Sequence, residues 1–364
     1  MSGLSGSNPG PAERLARLRL ARTDGVGAVK FGQMMRQFDS AGEALGRLRD
    51  VCSEAAARAE MARAEAVGAR HVLLGDADYP ALLAAMGDAP PVLIARGDLA
   101  LAARPVVAMV GARNASAAGR GLAREMAQAL GAAGWVVVSG MARGVDASAH
   151  MGALETGTIG CVAGGVDIAY PPENAGLQDQ VAERGLLVSE MPPGTEPQAR
   201  HFPRRNRLIA GLAQGVVVIE AAAGSGSLIT ARLAAEASRE VMAVPGHPSD
   251  PRSRGGNGLI RDGAVLVESA ADVLGVLAPF AVVAREPVVR RRELALPLLP
   301  AANAAFVPVA GDELVSLLSV SGVAVDEVVR ASGLSVSDVQ ARLSDLEIEG
   351  RVVRLAGGRV ALAS

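Results

Sequence analysis

Between residues 70 and 280, short uninterrupted apolar runs alternate with segments of helical periodicity. The runs are Val106–Val110, Trp135–Ser139, Thr158–Ala163, Leu186–Ser189, Val216–Glu220, Val241–Val244 and Val265–Val267. Between them, Ala117–Ala133, Gly144–Glu155, Asn174–Arg184, Pro203–Ala213 and Leu228–Ser238 read as helices, followed by a short helix around Leu259 and a closing helix Ala271–Leu277. Strands that are apolar on both faces and alternate with helices predict a parallel sheet covered on both sides. Two further short strands, His71–Leu74 and Val92–Arg96, precede the repeat, with a small helix between Tyr79-Pro80 and Pro90-Pro91. The expected core is therefore an extended Rossmann-like, doubly wound α/β domain over residues 70–280. Its ligands should bind beyond the carboxyl ends of the strands.

The flanks carry a different pattern. Residues 1–69 read as helices over Ala12–Arg22, Ala28–Phe38, Ser40–Leu48 and Ser53–Val67, with Asp24-Gly25-Val26-Gly27 as a hairpin between the first two. This predicts a helical SAM-like or helix-hairpin-helix domain. Backbone N–H groups of such a hairpin can hold a phosphate; with only Lys30 and Arg36 following, a purely structural turn is the simpler reading. Residues 281–308 form a Pro- and Arg-containing linker. Residues 309–364 then show three helices and a hairpin turned at Gly357, a winged-helix pattern. Over residues 312–362 there are eight acids against five arginines, and the third helix carries Asp338, Asp345, Glu347 and Glu349 against Arg342. An acidic recognition helix repels phosphates, which favours a protein-interaction or regulatory role over duplex binding.

Composition narrows the picture. Apolar residues make up 50% of the 364 and aromatics only 2%, so the core is built from Ala, Val and Leu, and any exposed ring is informative. The net charge of −2 excludes a chain-wide basic field, so nucleic-acid binding has to come from a local patch. Cys52 and Cys161 have no CxxC or metal-ligand spacing and read as free thiols in a reducing compartment. Met1–Gly10 lacks the apolar stretch of a signal peptide. The longest uncharged tract, Leu294–Ala310, is broken by three prolines and reads as linker, not membrane span. A cytoplasmic protein with no membrane partner, metal or cofactor is expected.

The local patch is His201–Gly211. Phe202, Arg204, Arg205, Asn206 and Arg207 crowd the start of a helix, with Pro203 as its first position, and no acid lies between Glu196 and Glu220. A ring beside a run of arginines at a helix N-terminus suits single-stranded nucleic acid, bases stacking and phosphates pairing. A solvated helix start with a buried Phe is the plainer alternative. Three glycine-containing turns fall at the same sheet edge. Gly111-Ala112-Arg113 is not GxGxxG, and the next strand ends in Ser139-Gly140 without an acid for a ribose. Arg113 therefore suits a phosphate better than a dinucleotide. Arg143 follows the second turn, where Asp146 and His150, four residues apart, can pair either as an acid–base couple or as a structural bond. Gly224–Thr230 places Gly226, Ser227 and Thr230 at a helix start as an anion nest, without the Lys of a nucleotide-hydrolysing loop. Pro245-Gly246-His247 and Arg252–Asn257 add a basic turn.

The order of these pieces is more specific than any one of them. VGAR, SGMARGVDASAH, GGVD with YPPEN, SEMPPG, FPRRNRLIAGL, VVVIEAAAGSGSLITA and AVPG with GGNGLI, over about residues 70–275, resemble the DprA/Smf family of DNA-processing proteins. The flanks resemble it more loosely. The resemblance implies a non-enzymatic protein of natural transformation that binds single-stranded DNA, protects it and loads RecA recombinase onto it, usually as a homodimer. It also implies that Arg113 takes phosphate, that Phe202 stacks a base, and that Arg205, Asn206 and Arg207 line the pocket. Gly111, Arg143, Gly226, Ser227 and Thr230 fall in the surrounding turns. Where family members often carry a lysine three residues before the Phe, this chain has Ala199, with Arg200 beside it. A related Rossmann-like group, the LOG nucleotide N-glycosidases (phosphoribohydrolases), is the enzymatic alternative. Its PGGxGTxxE turn carries a catalytic acid, whereas the segment from Gly224 has none until Glu236.

Overall fold

The computed structural model describes residues 9–283 and, further along, 314–315, 318, 323–332, 334–349, 351–355 and 359–362. Contacts divide the chain into two units, Met1–Val289 and Arg290–Ser364.

Four helices open the first unit: α1 (Pro11–Ala21), α2 (Ala28–Gln37), α3 (Ala41–Leu45) and α4 (Glu54–Ala66). Ser40 and Ser53 cap α3 and α4 by accepting the N–H groups of Glu43 and Ala56. The third helix stops at Leu45, short of the expected Leu48. Leu20, Phe31, Met34 and Leu45 form a small core, and Val26 at the hairpin tip is buried in it. Gly25, at φ +74°, makes that inward turn. The bundle also lies against the sheet, because Leu15, Leu18, Ala57 and Ala64 share a core with Leu73, Ile94 and Leu187. Arg14 chelates Asp76 at 2.7 and 2.8 Å and donates to the His71 carbonyl. Arg22 and His71 both reach the Glu60 carboxylate. Burial pushes the Glu60 carboxyl up, but the hydrogen bonds from His71 and Arg22 outweigh it and hold it at about 2.

The sheet has nine strands: β1 (Ala69–Leu73), β2 (Val92–Gly97), β3 (Val106–Gly111), β4 (Val136–Ser139), β5 (Thr158–Cys161), β6 (Leu186–Ser189), β7 (Gly215–Ile219), β8 (Glu240–Ala243) and β9 (Val265–Leu266). Their order is β1-β2-β6-β5-β4-β3-β7-β8-β9. From β6 to β9 all pairs are parallel, as expected. The outer two differ: β2 pairs antiparallel with β6, and β1 with β2. The only helix between β1 and β2 is the four-residue α5 (Ala81–Ala84), too short to cross a face of the sheet and return the chain in parallel. The helices α6 (Ala117–Ala132), α7 (Val145–Ala153), α8 (Ala175–Arg184), α9 (His201–Leu212), α10 (Gly226–Glu236), α11 (Arg254–Arg261) and α12 (Ala270–Val283) cover the faces. Alternate strand residues feed two separate cores: Val106, Ala108, Val110, Val216 and Val218 on one side, Val107, Met109, Val217 and Ile219 on the other.

Three helix ends near the turns differ from expectation. The ninth helix begins at His201, so Pro203 is its third residue rather than its first. The tenth begins at Gly226, because the Ser225 hydroxyl accepts the Ser227 N–H and starts the helix early. The twelfth continues past Leu277 to Val283. The expected linker lies outside the described residues from 284 onward.

In the second unit a strand Val323–Ala324, helices Val325–Ser332 and Val336–Ile348, and strands Val352–Leu355 and Arg359–Leu362 are described. The strand of residues 359–362 lies between the other two. Leu314, Leu318, Val328, Val339, Leu343, Leu346, Val352 and Val360 form its core. Asp338, Asp345 and Glu347 are exposed on the last helix. Most of the expected first helix and the turn at Gly357 lie outside the described residues. No described helix is long and apolar enough to cross a membrane.

Candidate nucleic-acid interface

The chain builds outward from β3 through β4, β5 and β6, then returns to start β7 on the other side of β3. Successive helices leave these two strands in opposite directions, so a crevice opens beyond their carboxyl ends. Here it is a cleft of about 700 Å³. Its walls are the turn after β3 (Gly111–Asn114), Ala142, Arg143 and Asp146 after β4, the start of α9, and Ala222–Thr230 after β7, with Arg252 beside them.

Nine of the residues expected at the site line this cleft: Gly111, Arg113, Arg143, Phe202, Arg205, Asn206, Gly226, Ser227 and Thr230. Arg207 does not. Its guanidinium donates to Asp88 at 2.7 Å and to Glu190 at 2.8 Å and pins α9 to the body of the domain. Ala199 lines the cleft, whereas Arg200 lies outside the lining, its Nε 3.5 Å from His201 Nε2.

Phe202 is half-buried at the start of α9. The Arg113 guanidinium carbon is 5.5 Å from its ring centre and that of Arg205 5.7 Å. Tyr170 sits 5.7 Å away, tilted by 59° and 46% exposed. Together they present aromatic surface beside a cation. The Arg113 side chain is exposed, and so is Arg143, which lies 3.2 Å from Glu173.

Arg205 corrects an expectation. The arginine run reads as a local patch in which Arg205 meets the DNA as part of the pocket lining, but the structure buries this side chain to 7% exposure. Its Nη1 donates to the Gly140 carbonyl and lies 3.7 Å from Asp146. A Cβ on residue 140 would fall 1.3 Å from that nitrogen, so the glycine makes the space Arg205 fills. The reason is helical geometry: Arg205, Asn206, Leu208 and Ile209 fall on the buried side of α9, while Pro203 and Arg204 face solvent. Arg205 is therefore floor of the cleft, not rim.

Asp146 and His150 do not pair, contrary to their spacing. Burial lifts the Asp146 carboxyl, and Arg205, with the Ala142 N–H, pulls it back. His150 instead meets Thr158 Oγ1 through Nδ1 at 2.7 Å. That hydroxyl gives its only proton to the Val137 carbonyl, so the imidazole donates from Nδ1. Burial, reinforced by Arg205, holds the imidazole down at about 3, so it is neutral. A neutral ring cannot compete with a guanidinium for a buried carboxylate.

On the opposite wall, Ser227 and Thr230 are buried under the start of α10, and Asn206 Nδ2 donates to the Gly226 carbonyl at 3.4 Å. At Gly111 a Cβ would come within 1.9 Å of the Ile219 carbonyl oxygen, so only glycine keeps β3 and β7 paired up to the turn. Arg252, from the expected basic turn, lines the cleft, whereas sequence reasoning missed two neighbours, Tyr170 and Glu220. Tyr170 is one of only two tyrosines and precedes Pro171-Pro172, a signal that was available. Met141 and Glu220 bracket the cleft with positive φ values of 59° and 51°, backbone that L residues rarely adopt. No pattern in the chain announces them.

Comparison with known proteins follows the same map. A family model described as DNA recombination-mediator protein A matches residues 70–278, a DprA-like N-terminal HHH domain matches 11–72, and a DprA winged helix domain matches 300–358. The DNA processing protein DprA of Bacillus subtilis is 42% identical over 209 residues, 57% of this chain and 70% of that protein. Protein Smf of Escherichia coli is 36% identical over 304 residues, 80% of this chain and 77% of that one. The X-ray structure of DprA from Streptococcus pneumoniae superposes with a TM-score of 0.61 at 34% identity, covering 72% of this chain and 96% of that one. A DNA processing protein A structure from Helicobacter pylori, described for its single-stranded DNA binding mode, gives 0.53 at 30% identity, covering 58% and 96%. The chain belongs to the DprA/Smf family of DNA recombination-mediator proteins.

Proposed function

We propose that this chain binds single-stranded DNA in the cleft beyond β3 and β7 and, as a cytoplasmic homodimer, loads RecA recombinase onto it, with no chemistry done on the strand. The observation that carries this reading is the grouping of Phe202, Tyr170 and Arg113. A ring with a second ring and a cation beside it offers stacking to any base and charge to the phosphate next to it. Across the cleft, the exposed Gly224 and Gly226 and the half-buried Ser225 present the start of α10, with Ser227 and Thr230 buried behind them. The dimer reading is supported by β9, which ends the sheet with Val265 and Leu266 40% and 47% exposed. Family membership supports the RecA step.

The test is fluorescence anisotropy of labelled oligothymidylate and of a duplex of equal length, titrated with the full chain across a salt series. Tighter binding of the single strand at every salt concentration is expected, with affinity falling linearly in log–log form. Equal affinity for the duplex would sink the assignment. Release of free base from nucleoside monophosphates would overturn its non-enzymatic part.

A further inference from the structure

In parallel α/β domains the helix after the first strand of the switch point commonly receives a ligand phosphate on its N-terminal N–H groups. Here that helix is α6, and an internal acid already occupies its start. Glu220 follows β7, next to β3 in the sheet, and points across at the turn. The Ser116 N–H donates to Glu220 Oε2 at 2.7 Å, and the Ser116 hydroxyl donates to Oε1. Ser116 in turn caps α6 by accepting the Gly119 N–H at 2.9 Å. Gly119 makes room: a Cβ there would lie 2.5–2.8 Å from the Glu220 carboxylate atoms. Glu220 holds this pose at φ 51°. A residue kept in strained backbone, hydrogen-bonded twice and seated over a glycine is a built feature of the turn. The neighbouring cation does not neutralise it by a hydrogen bond, because Arg252 is chelated by Asp250 at 2.7 and 3.0 Å.

We propose that Glu220 is a built-in stand-in for phosphate. It denies the α6 N-terminus to free nucleotides and makes the cleft selective for a polynucleotide strand. A mononucleotide gains most of its affinity from one well-seated phosphate. With that seat filled by a like charge, phosphates are left to the exposed Arg113 and Arg143. These cations are spaced along the cleft and reward a ligand carrying several phosphates. The inference rests on the single-strand reading for its second half only, since closure of the phosphate seat is a property of the folded chain alone.

The experiment measures inorganic phosphate and oligothymidylate binding to the full-length protein and three variants. Glu220→Gly suits the left-handed backbone and empties the seat, and Glu220→Ala is the second emptied form should the first be unstable. Phosphate, read as a rise in Tm at constant ionic strength, is expected to bind the emptied variants about tenfold more tightly than the wild type. It should also compete with oligothymidylate only in them. Glu220→Gln keeps the seat filled, its oxygen accepting the Ser116 N–H and its amide N–H donating to the Ser116 hydroxyl, and should stay near the wild type. Unchanged phosphate affinity in whichever emptied variant folds would overturn the proposal, and so would a gain in Glu220→Gln equal to theirs. Failure of the wild type to bind oligothymidylate would instead overturn the single-strand reading, leaving the phosphate result to be judged by itself.

Discussion

Arg113 and Arg205 stand at nearly equal distances from the Phe202 ring, 5.5 and 5.7 Å, yet do different work. Arg113 is exposed and can follow a phosphate. Arg205 is buried, bonded to Gly140 and set against Asp146. Their alanine variants should therefore separate. Arg113→Ala should weaken oligonucleotide binding and lower the log–log salt slope by about one, with Tm unchanged. Arg205→Ala leaves Asp146 buried without its cation and should cost about 3–5 kcal/mol of stability in denaturant titration. An Arg205→Ala protein as stable as the wild type would refute its placement as floor. Phe202→Ala should lose roughly 1–3 kcal/mol of binding free energy, and Phe202→Tyr should retain most of it, measured by the same anisotropy titration. Tyr170, flanking the ring, should give a smaller loss as Tyr170→Ala.

At the scale of elements, the site is assembled from the turns after β3, β4 and β7 and the start of α9. Each is held by a side-chain hydrogen bond: Arg205 to Gly140, Asn206 to Gly226, Arg207 to Glu190, Glu220 to Ser116. Beneath them α7 is fixed to β5 by the neutral pair of His150 and Thr158. This makes the assembly pH-sensitive in a stated direction. The folded imidazole sits at about 3 against an ordinary 6.5, so below 6.5 the unfolded chain binds a proton that the native one refuses. The stability that the neutral ring contributes is complete above pH 6.5 and is lost progressively as pH falls toward 3. Chemical denaturation between pH 7 and pH 4 should show that decline, and His150→Asn, whose amide reaches the same hydroxyl without titrating, should flatten it. An equally steep decline in the variant would assign the effect elsewhere. Glu60 acts lower on the scale: its carboxyl is depressed from 4.5 to about 2, so the stability it gives the junction of α4 with β1 is complete above pH 4.5 and is lost as pH falls toward 2.

For the whole molecule, a net charge of −2 means that the proposed affinity for a polyanion has to come from a local patch and not from a general field. The acidic face of the last helix, with Asp338, Asp345 and Glu347 exposed, is consistent with a partner other than DNA for the winged-helix part. The exposed edge at β9 bears on assembly. Placing a charge there, as Leu266→Glu, should convert a dimer to a monomer in light scattering while leaving Tm close to that of the wild type. A variant that remains dimeric would move the interface elsewhere.

Much of this was legible in the chain, for reasons that can be stated. Residue patterns with period two and 3.6 are local, so the strand–helix alternation from Val106 to Leu277 and the parallel order of the inner strands follow from the sequence. So does the clustering of Gly111, Arg113, Arg143, Phe202 and Gly226 at one sheet edge, since turns after parallel strands all emerge on the same side. Four features had to wait for the tertiary structure: the antiparallel β1 and β2, the inward turn of Arg205, the separation of Asp146 from His150, and the reach of Glu220 to Ser116. Each is decided by competition among groups far apart in the chain. Arg205 faces inward because Gly140, 65 residues away, leaves the space and Asp146 the charge. Glu220 finds Ser116 across 104 residues because β3 and β7 are neighbours only once the sheet is formed. The sequence by itself determined which chemistry gathers at the carboxyl edge of the sheet. Only the fold decided which side chains face the ligand and which are spent holding the others in place.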